Sequence, residues 1–363
     1  MDVDRGQVLA YRIAALGLAE RGRDRPADLD VLDLGVQEYT PGSVRVALAA
    51  RTEAPLEDDR LLMVWAARGA PHLHRRRDLK NLVKALWPVS DADAAARIKS
   101  GQIPAAGRLG IEAFAVTARA FRAVVRSSMP RGEVSTQVSA RVPAELTYDC
   151  RSCGARHIAG NVWQHSGLAG GIQVESRGRD AMLGPIRDAP AQPTGNEGIG
   201  ALITTYLRLL GPATPVELGK YLGSSTAEMK QVWPAGLAEV RVAGRRTWLP
   251  AGSLPALTAA EPMSGVRLLP AMDPLLQARD RDLLVPERAR QKEIWRLLGN
   301  PGALLVDGEI AGVWRAKMAG RRRVDLTVTP FGTLTARARK AVEQEAAAVA
   351  RAREAADATV TFT

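Results

Sequence analysis

Two cysteines separated by two residues are the first side chains in this sequence whose types and spacing could do chemistry. Cys150 and Cys153 enclose a short knuckle, and His157 follows. Two thiolates at this spacing can hold one zinc ion, with the histidine as a third ligand. His165 is a poor fourth ligand, because two turns of a helix between 157 and 165 would separate the rings by about 12 Å. A zinc site and a metal-free knuckle both stay open, whereas a redox pair lacks the surrounding thioredoxin-like pattern.

The tripeptide Gln37-Glu38-Tyr39 is the second candidate, because it lies just before a predicted helix. Thr40 followed by Pro41 is typical of a helix start, so the helix is predicted over 41–51. Free backbone N–H groups and partial positive charge at a helix N-terminus favour an anion or an oriented water. We therefore expect such a group beside Gln37 and Tyr39.

The overall charge points to a polyanionic partner. The formal net charge is +11 and the sequence pI is about 10.1. A protein of this charge binds polyanions with an affinity that falls steeply as salt increases. One local concentration of charge is the run from His74 to Arg77, in which Arg75, Arg76 and Arg77 form either a solvated helix entry or a phosphate clamp.

The segment from 195 to 252 has the layout of a winged helix-turn-helix. An apolar face over 199–210 predicts one helix, and two capping boxes, Thr214 with Glu217 and Ser225 with Glu228, predict the starts of two more. The third helix turns Lys230 and Gln231 outward.

Two strand-like runs follow the three helices of this segment. The turn between them contains Gly244, Arg245 and Arg246, and Arg241 precedes it. We expect these arginines, with Lys230 and Gln231, to meet nucleic acid, although such a fold also serves as a packing scaffold or a protein contact.

The rest of the chain extends this pattern. Apolar spacing predicts helices near 5–20 and after residue 111, and an Asp307-Gly308 turn predicts a hairpin in a C-terminal β meander before a closing helix over 333–355. The predicted class is α+β, mainly α, with tandem winged helix-turn-helix units and a C-terminal β-meander domain. The predicted units are 1–90, 91–190 with the cysteine knuckle, 195–252 after a linker at 185–196, and 262–363.

Composition excludes several classes of protein. Aromatic residues make up only 4% of the chain, which argues against a module that binds single strands on stacked rings. No eighteen-residue apolar run is present, and the N-terminal residues do not resemble a signal peptide. We expect a cytoplasmic, nucleoid-associated monomer that binds double-stranded DNA and no membrane.

Four stretches resemble, in order and spacing, the bacterial winged-helix family of the AlkZ and YcaQ DNA glycosylases. They are GVQEY (35–39), ARGAPHL (67–73), LLPAMDPLL (268–276) and NPGALLVDGEIAGVWR (300–315). The resemblance covers nearly the whole chain. It implies three winged-helix units and a C-terminal β domain that form a basic channel around duplex DNA, with excision of alkylated or crosslinked bases. No cofactor is required for this activity.

The resemblance also assigns roles to site residues. The catalytic signature of the family is Gln, an apolar residue, then Gln or Asp, and it falls on Gln37, Glu38 and Tyr39. In the family the two polar side chains are thought to orient water against a developing sugar cation. Here Tyr39 replaces the second, while Glu38 could act as general base or cation stabiliser, or be a solvated turn residue. Arg68 and His72 match a segment expected to contact DNA or support the turn.

The departure at Tyr39 leaves two functions in competition. One is a glycosylase that hydrolyses the N-glycosidic bond, and it could leave the damaged nucleotide stacked rather than extrude it. The other is a non-catalytic DNA-binding regulator or damage-recognition protein. A structural nucleoid-type binder, which needs only positive charge, is a third possibility.

Overall fold

The computed structural model describes residues 1–152, 154–177, 180–320 and 322–363. The predicted mixture of helices and strands with a C-terminal sheet is confirmed, while the grouping of helices into tandem winged-helix units stays a prediction. The α-helices of the described ranges are α1 (Arg5–Ala15), α2 (Ser43–Ala49), α3 (Leu79–Ala85), α4 (Asp91–Ile98), α5 (Ile111–Val124), α6 (Arg131–Ser139), α7 (Gly160–Ser166), α8 (Ile199–Leu210), α9 (Pro215–Leu222), α10 (Thr226–Gln231), α11 (Leu254–Thr258), α12 (Arg281–Leu284), α13 (Arg288–Ile294) and α14 (Ala336–Ala352).

The strands are short in the first half of the chain and longer near its end. They are β1 (Asp2–Val3), β2 (Val36–Gln37), β3 (Leu61–Trp65), β4 (Pro71–Arg75), β5 (Met129–Pro130), β6 (Thr147–Cys150), β7 (Ala155–Ile158), β8 (Ile172–Arg177), β9 (Asp180–Pro185), β10 (Leu237–Val242), β11 (Arg245–Pro250), β12 (Val266–Leu269), β13 (Gly302–Val306), β14 (Glu309–Ala319), β15 (Arg323–Pro330) and β16 (Asp357–Phe362). None of the helices within the described ranges is long and apolar enough to cross a membrane.

The chain divides into two compact units, each built from separate stretches of sequence. The first unit contains Met1–Asp59, Thr204–Thr214 and Ala235–Thr363, and the second contains Arg60–Ile203 and Pro215–Pro234. The four unit boundaries predicted from the sequence stay predictions.

A five-stranded sheet dominates the first unit, in the order β12-β13-β14-β15-β16. The predicted hairpin between β13 and β14 is confirmed: Asp307 and Gly308 have φ values of 47° and 86°, the left-handed pair that a two-residue turn requires. Helix α14 begins after Thr335, whose side chain accepts a hydrogen bond from the Ala338 N–H, and packs on the sheet. The predicted meander and closing helix are therefore present, and β16 is added parallel to β15.

A buried ion pair ties helix α2 to the segment after β12. The Arg51 guanidinium and the Asp273 carboxylate are 2% and 1% exposed and meet through two contacts, at 2.8 and 2.9 Å. Arg51 also donates to the carbonyls of Leu16, at the end of α1, and Ala47. Since every charged atom has a partner, the pair fixes three segments of the first unit to one another.

The core of the second unit is aromatic. Trp65, Phe121 and Trp163 pack with ring centroids 4.5 to 6.3 Å apart. A Cβ atom added to Gly167 would lie 2.3 Å from the Trp65 ring, so only glycine permits this approach. This packing unites β3, α5 and α7 around one cluster.

Three histidines inside this unit have a lowered pKa: His72, described with the candidate site, His74 and His165. His74 lies in β4 and His165 in α7, where its ring is 6.0 Å from that of Phe114. Burial is the main reason that the pKa of each ring falls from 6.5 to about 3, and Arg75 beside His74 and Arg97 beside His165 lower it further. Both rings are neutral at pH 7.

Two local predictions were wrong, and one apolar run has a structure that its sequence does not settle. Leu61–Trp65 is strand β3, and a run this short has no period that separates helix from strand. His157 lies in β7 and the helix begins only at Gly160, so no helix joins 157 to 165. Helix α2 begins at Ser43 rather than Pro41, after Gly42 at a φ of 83°.

The segment after residue 195 contains three helices and two strands in the predicted order, α8, α9, α10, β10 and β11. Ser225 caps α10 as predicted, by accepting from the Glu228 N–H at 3.2 Å. The Glu228 carboxylate, however, accepts from the Ser90 hydroxyl at 2.7 Å instead of reaching back to complete the capping box. Lys230 and Gln231 are exposed, as predicted.

The buried ion pair leads to a prediction for stability. Substitution Asp273→Ala leaves the Arg51 guanidinium buried without its counter-charge, and we expect a loss of about 3–5 kcal/mol in the free energy of unfolding, measured by urea denaturation. The control is Arg119→Ala, which removes the exposed pair with Glu112 and should cost less than about 1 kcal/mol. Equal losses for the two variants would contradict the role given to Asp273.

The buried histidines lead to a prediction for pH. Between pH 6.5 and about 3 the unfolded chain binds protons that the folded rings do not, so the free energy of unfolding should fall as pH is lowered from 7 to 4. His165→Asn should make this dependence shallower. Phe114→Leu disturbs the same core without removing a titrating ring, and should lower stability equally at each pH. A dependence as steep in His165→Asn as in the natural chain would refute this account.

Candidate active site

The turn that carries Gln37, Glu38 and Tyr39 is held in place by Glu38. Its carboxylate accepts hydrogen bonds from the N–H of Gly42 at 2.6 Å and of Val44 at 2.8 Å, and from the hydroxyl of Ser43 at 3.1 Å. These N–H groups lie at the start of helix α2, where a carboxylate is favoured. Both oxygens of Glu38 are therefore engaged in capping the helix.

This arrangement identifies the group at the helix start. The sequence predicted an anion or an oriented water at these N–H groups, and the structure shows that the anion there is the Glu38 carboxylate of the same turn. Glu38 is half-buried and ordered rather than a solvated turn residue. Ser43 completes the turn by accepting from the N–H of Tyr39 at 2.9 Å.

Gln37 and Tyr39 flank the capping residue Glu38 in the sequence. Gln37 ends strand β2 and is 9% exposed, while Tyr39 is half-buried. The phenol oxygen of Tyr39 accepts from the N–H of Asn300 at 3.2 Å. A phenol that accepts one hydrogen bond still has its own proton to donate. The turn therefore offers an amide and a hydroxyl, both neutral groups that can orient a water molecule.

The AMDPLL segment lies near the same turn, on the other side of Asn300. Met272 has a φ of 62°, and its sulfur lies 3.9 Å from the side-chain nitrogen of Asn300. Next to it, Asp273 binds Arg51 of the segment that follows α2. The Asn300 side-chain oxygen is buried and has no hydrogen-bond partner among the residues that the structure describes. Two of the stretches that carried the family resemblance thus meet beside Tyr39.

Three of the residues predicted to contact DNA point into the protein. Arg68 donates to the carbonyl of Tyr221 and lies over its ring, 5.1 Å from the centroid. His72 is fully buried, with Nδ1 2.8 Å from the Ala70 carbonyl, and burial keeps its pKa well below 6.5. Arg75 is 4% exposed and pairs with Asp78 at 3.2 Å. In this conformation these side chains support the β3–β4 hairpin and α9.

Arg76 and Arg77 remain on the surface and line a cleft of about 950 Å³ in the second unit. Lys80 and Arg187 also line it, with Asp188 as an opposing charge. Sequence analysis missed both cations. Lys80 could have been found, because it follows Arg76 by four residues and so shares a helix face. Arg187 lies in the segment predicted as a linker, which carries no local signal of a cleft.

The other predicted contacts are exposed. Lys230 and Gln231 lie on α10 of the second unit, and Arg241, Arg245 and Arg246 lie on the β10–β11 hairpin of the first. Arg246 is paired with Glu239 at 2.6 Å, which lowers the pKa of that carboxyl through the hydrogen bond.

Two of the predicted zinc ligands, Cys150 and His157, lie on strands β6 and β7. Cys153 falls outside the described residues. Cys150 has its sulfur 3.1 Å from the Ser152 hydroxyl, and the ring of His157 is 3.4 Å from the Ser135 hydroxyl. Within the described ranges no three His, Cys, Asp or Glu side chains form a metal-binding group. The zinc site stays a prediction.

Comparison with known proteins shows the family of this chain. An interstrand DNA cross-link repair glycosylase of Streptomyces sahachiroi is 26% identical over 368 residues, which cover 95% of each chain. The solved structure of Streptomyces sahachiroi DNA glycosylase AlkZ matches this fold with a TM-score of 0.77 at 24% identity, over 100% of both chains. The family model described as DNA glycosylase AlkZ-like matches residues 31–352. The resemblance seen in the sequence is confirmed, and the chain belongs to the AlkZ-like family of DNA glycosylases.

Proposed function

We propose that this protein hydrolyses the N-glycosidic bond of alkylated or crosslinked bases in duplex DNA, with Gln37 and Tyr39 at the reaction centre. The observation that carries the proposal is the turn itself. It presents an amide and a phenol together, near the segment 268–276, which is one of the stretches that carry the family resemblance. The relative named for interstrand cross-link repair supports the substrate class.

The chemistry needs little acid catalysis. An alkylated purine carries positive charge, so it leaves the sugar as a neutral base and takes the bonding electron pair with it. Water then adds to the sugar carbon that bears the developing cation, and its proton passes to solvent. We assign Gln37 and Tyr39 to hold this water through hydrogen bonds. This hydrolysis uses no cofactor.

We assign Glu38 a positioning role instead of catalysis. Its two oxygens are committed to the N–H groups of α2 and the Ser43 hydroxyl. A general base must reach the reacting water with a free lone pair, and release from the cap would cost the turn its support.

Exposed cations are proposed to bind the phosphates of the duplex. In the second unit these are Arg76, Arg77, Lys80 and Arg187 of the cleft. Lys230 and Gln231 on α10 and the arginines of the β10–β11 hairpin are proposed as further contacts. Arg68, His72 and Arg75 are proposed to act indirectly, through the elements that they support.

A non-catalytic damage-recognition protein or regulator is the second candidate. The observation that favours it is the commitment of Glu38, which leaves the tripeptide without an available carboxylate. Release of a base from an alkylated duplex separates the candidates, because a regulator would bind DNA and leave each base attached.

The first prediction from this proposal concerns catalysis. Gln37→Ala should reduce base release from a duplex containing an alkylated purine by about 100-fold or more, because one group that stabilises the transition state is lost. Tyr39→Phe, which removes a single hydroxyl, should reduce it about tenfold, a change of about 1.4 kcal/mol in the barrier. Thr40→Ala, on the exposed side of the same turn, is the control and should leave the rate unchanged. Undiminished release by Gln37→Ala would reject the site.

The second prediction concerns the cleft. In a variant with Arg76→Ala, Arg77→Ala and Arg187→Ala together, the slope of log K against log salt concentration should become shallower by about 2 to 3, because each phosphate contact contributes about 0.9. Arg119→Ala, an exposed arginine of α5, is the control. Fluorescence anisotropy with undamaged duplex measures the affinity of both variants at each salt concentration. Identical slopes in the triple variant and the control would exclude the cleft from the interface.

A further inference from the structure

Two leucines in the first unit are exposed in a way that packing does not explain. Leu297 and Leu298 are 98% and 85% exposed, more than any other large apolar side chain in the part of the chain that the structure describes. They lie between α13 and β13, and the residues on either side of them, Arg296 and Gly299, are also exposed. Adjacent apolar side chains presented fully to solvent are typical of a surface that meets a partner.

Both ends of this loop are anchored. Before it, the Trp295 indole donates to the Leu276 carbonyl at 3.1 Å, and the Arg281 guanidinium lies 4.8 Å from the Trp295 ring. After it, Arg315 donates to the Gly299 carbonyl at 2.8 Å. The two leucines are therefore held outward from fixed points.

The loop adjoins the candidate active site. The N–H of Asn300 donates to the Tyr39 hydroxyl, and two residues of extended chain span at most about 7 Å. The backbone of Leu298 therefore lies at most about 10 Å from the Tyr39 phenol. An object that touches the leucines is also close to the Gln37 turn.

The charged residues around the loop indicate which kind of partner it would bind. Lys292, Arg296 and Arg315 are exposed, and Glu293 is the half-buried acid among them. Positive groups around a short apolar tip suit a duplex, because the cations meet phosphates while leucines enter between base steps. Two side chains are too small a patch for a stable protein interface, which buries about 800 Å² on each partner.

We propose that Leu297 and Leu298 form an apolar wedge that enters duplex DNA and unstacks the base step at the damaged nucleotide, beside Gln37 and Tyr39. The wedge rests on the proposed glycosylase function and adds a means of selecting damage. Unstacking is easiest where the base is already damaged or mispaired, so the leucines favour such a step.

The test uses the full chain and a duplex with 2-aminopurine next to an alkylated purine. Unstacking of 2-aminopurine raises its fluorescence, and we expect a severalfold rise when the natural chain binds. The variant with Leu297→Ser and Leu298→Ser should give no rise and release base at least about tenfold more slowly. Its affinity for undamaged duplex should stay within about threefold, because phosphate contacts supply that binding.

The matched control carries Leu297→Met and Leu298→Met, which keep apolar bulk and should retain the rise. A serine variant that unstacks as well as the natural chain would overturn the wedge, as would a natural chain that binds without any rise. Leucine-dependent binding to anionic vesicles, with no effect on 2-aminopurine, would also overturn it in favour of a membrane contact. Failure of the natural chain to release any base rejects the glycosylase proposal separately, because fluorescence is read before chemistry.

Discussion

The Arg51–Asp273 ion pair is the constraint on which the candidate site depends. It joins the chain after α2 to the AMDPLL segment and to the end of α1, with both charges buried. A buried pair of this kind contributes less to net stability than to the choice of one arrangement, because alternatives that separate the charges are heavily penalised. The pair holds together the segments that carry Tyr39 and Met272, and Asn300 contacts both of these residues.

The turn before α2 has a structural role that the contacts show and a chemical role that we propose. Glu38, the only formal charge in the tripeptide, caps a helix, and the proposed reaction is assigned to the amide of Gln37 and the phenol of Tyr39. In the proposed reaction the leaving base already carries positive charge, so it needs no added proton. The site has mainly to orient a water molecule, and neutral groups can do this. The replacement of a second amide or carboxylate by Tyr39 therefore changes the donor without removing the ability to hold water.

Patterns with a period or a turn signature were predictable from the sequence. The Asp307-Gly308 hairpin, the outward Lys230 and Gln231, and the capping role of Ser225 all follow from local rules. Features that depend on partners distant in the sequence were not predictable. Arg75 and His72 carry the residue types of a DNA contact, yet burial in the hairpin decides their roles, and Leu61–Trp65 becomes a strand because β4 is there to pair with it. Strand β16 was missed for the same reason, since its parallel partner β15 is separated from it by a whole helix.

The first unit is assembled from three stretches of sequence, of which the last reaches the C-terminus. During synthesis the initial 59 residues therefore emerge long before the sheet that completes their core, while residues 60–203 of the second unit are contiguous and can collapse as they leave the ribosome. Such long loops must close before packing contributes any stabilisation, and this slows folding. A nascent chain stalled before β13 would hold the Gln37 turn without its contact to Asn300, so this turn reaches its described set of contacts only late in synthesis.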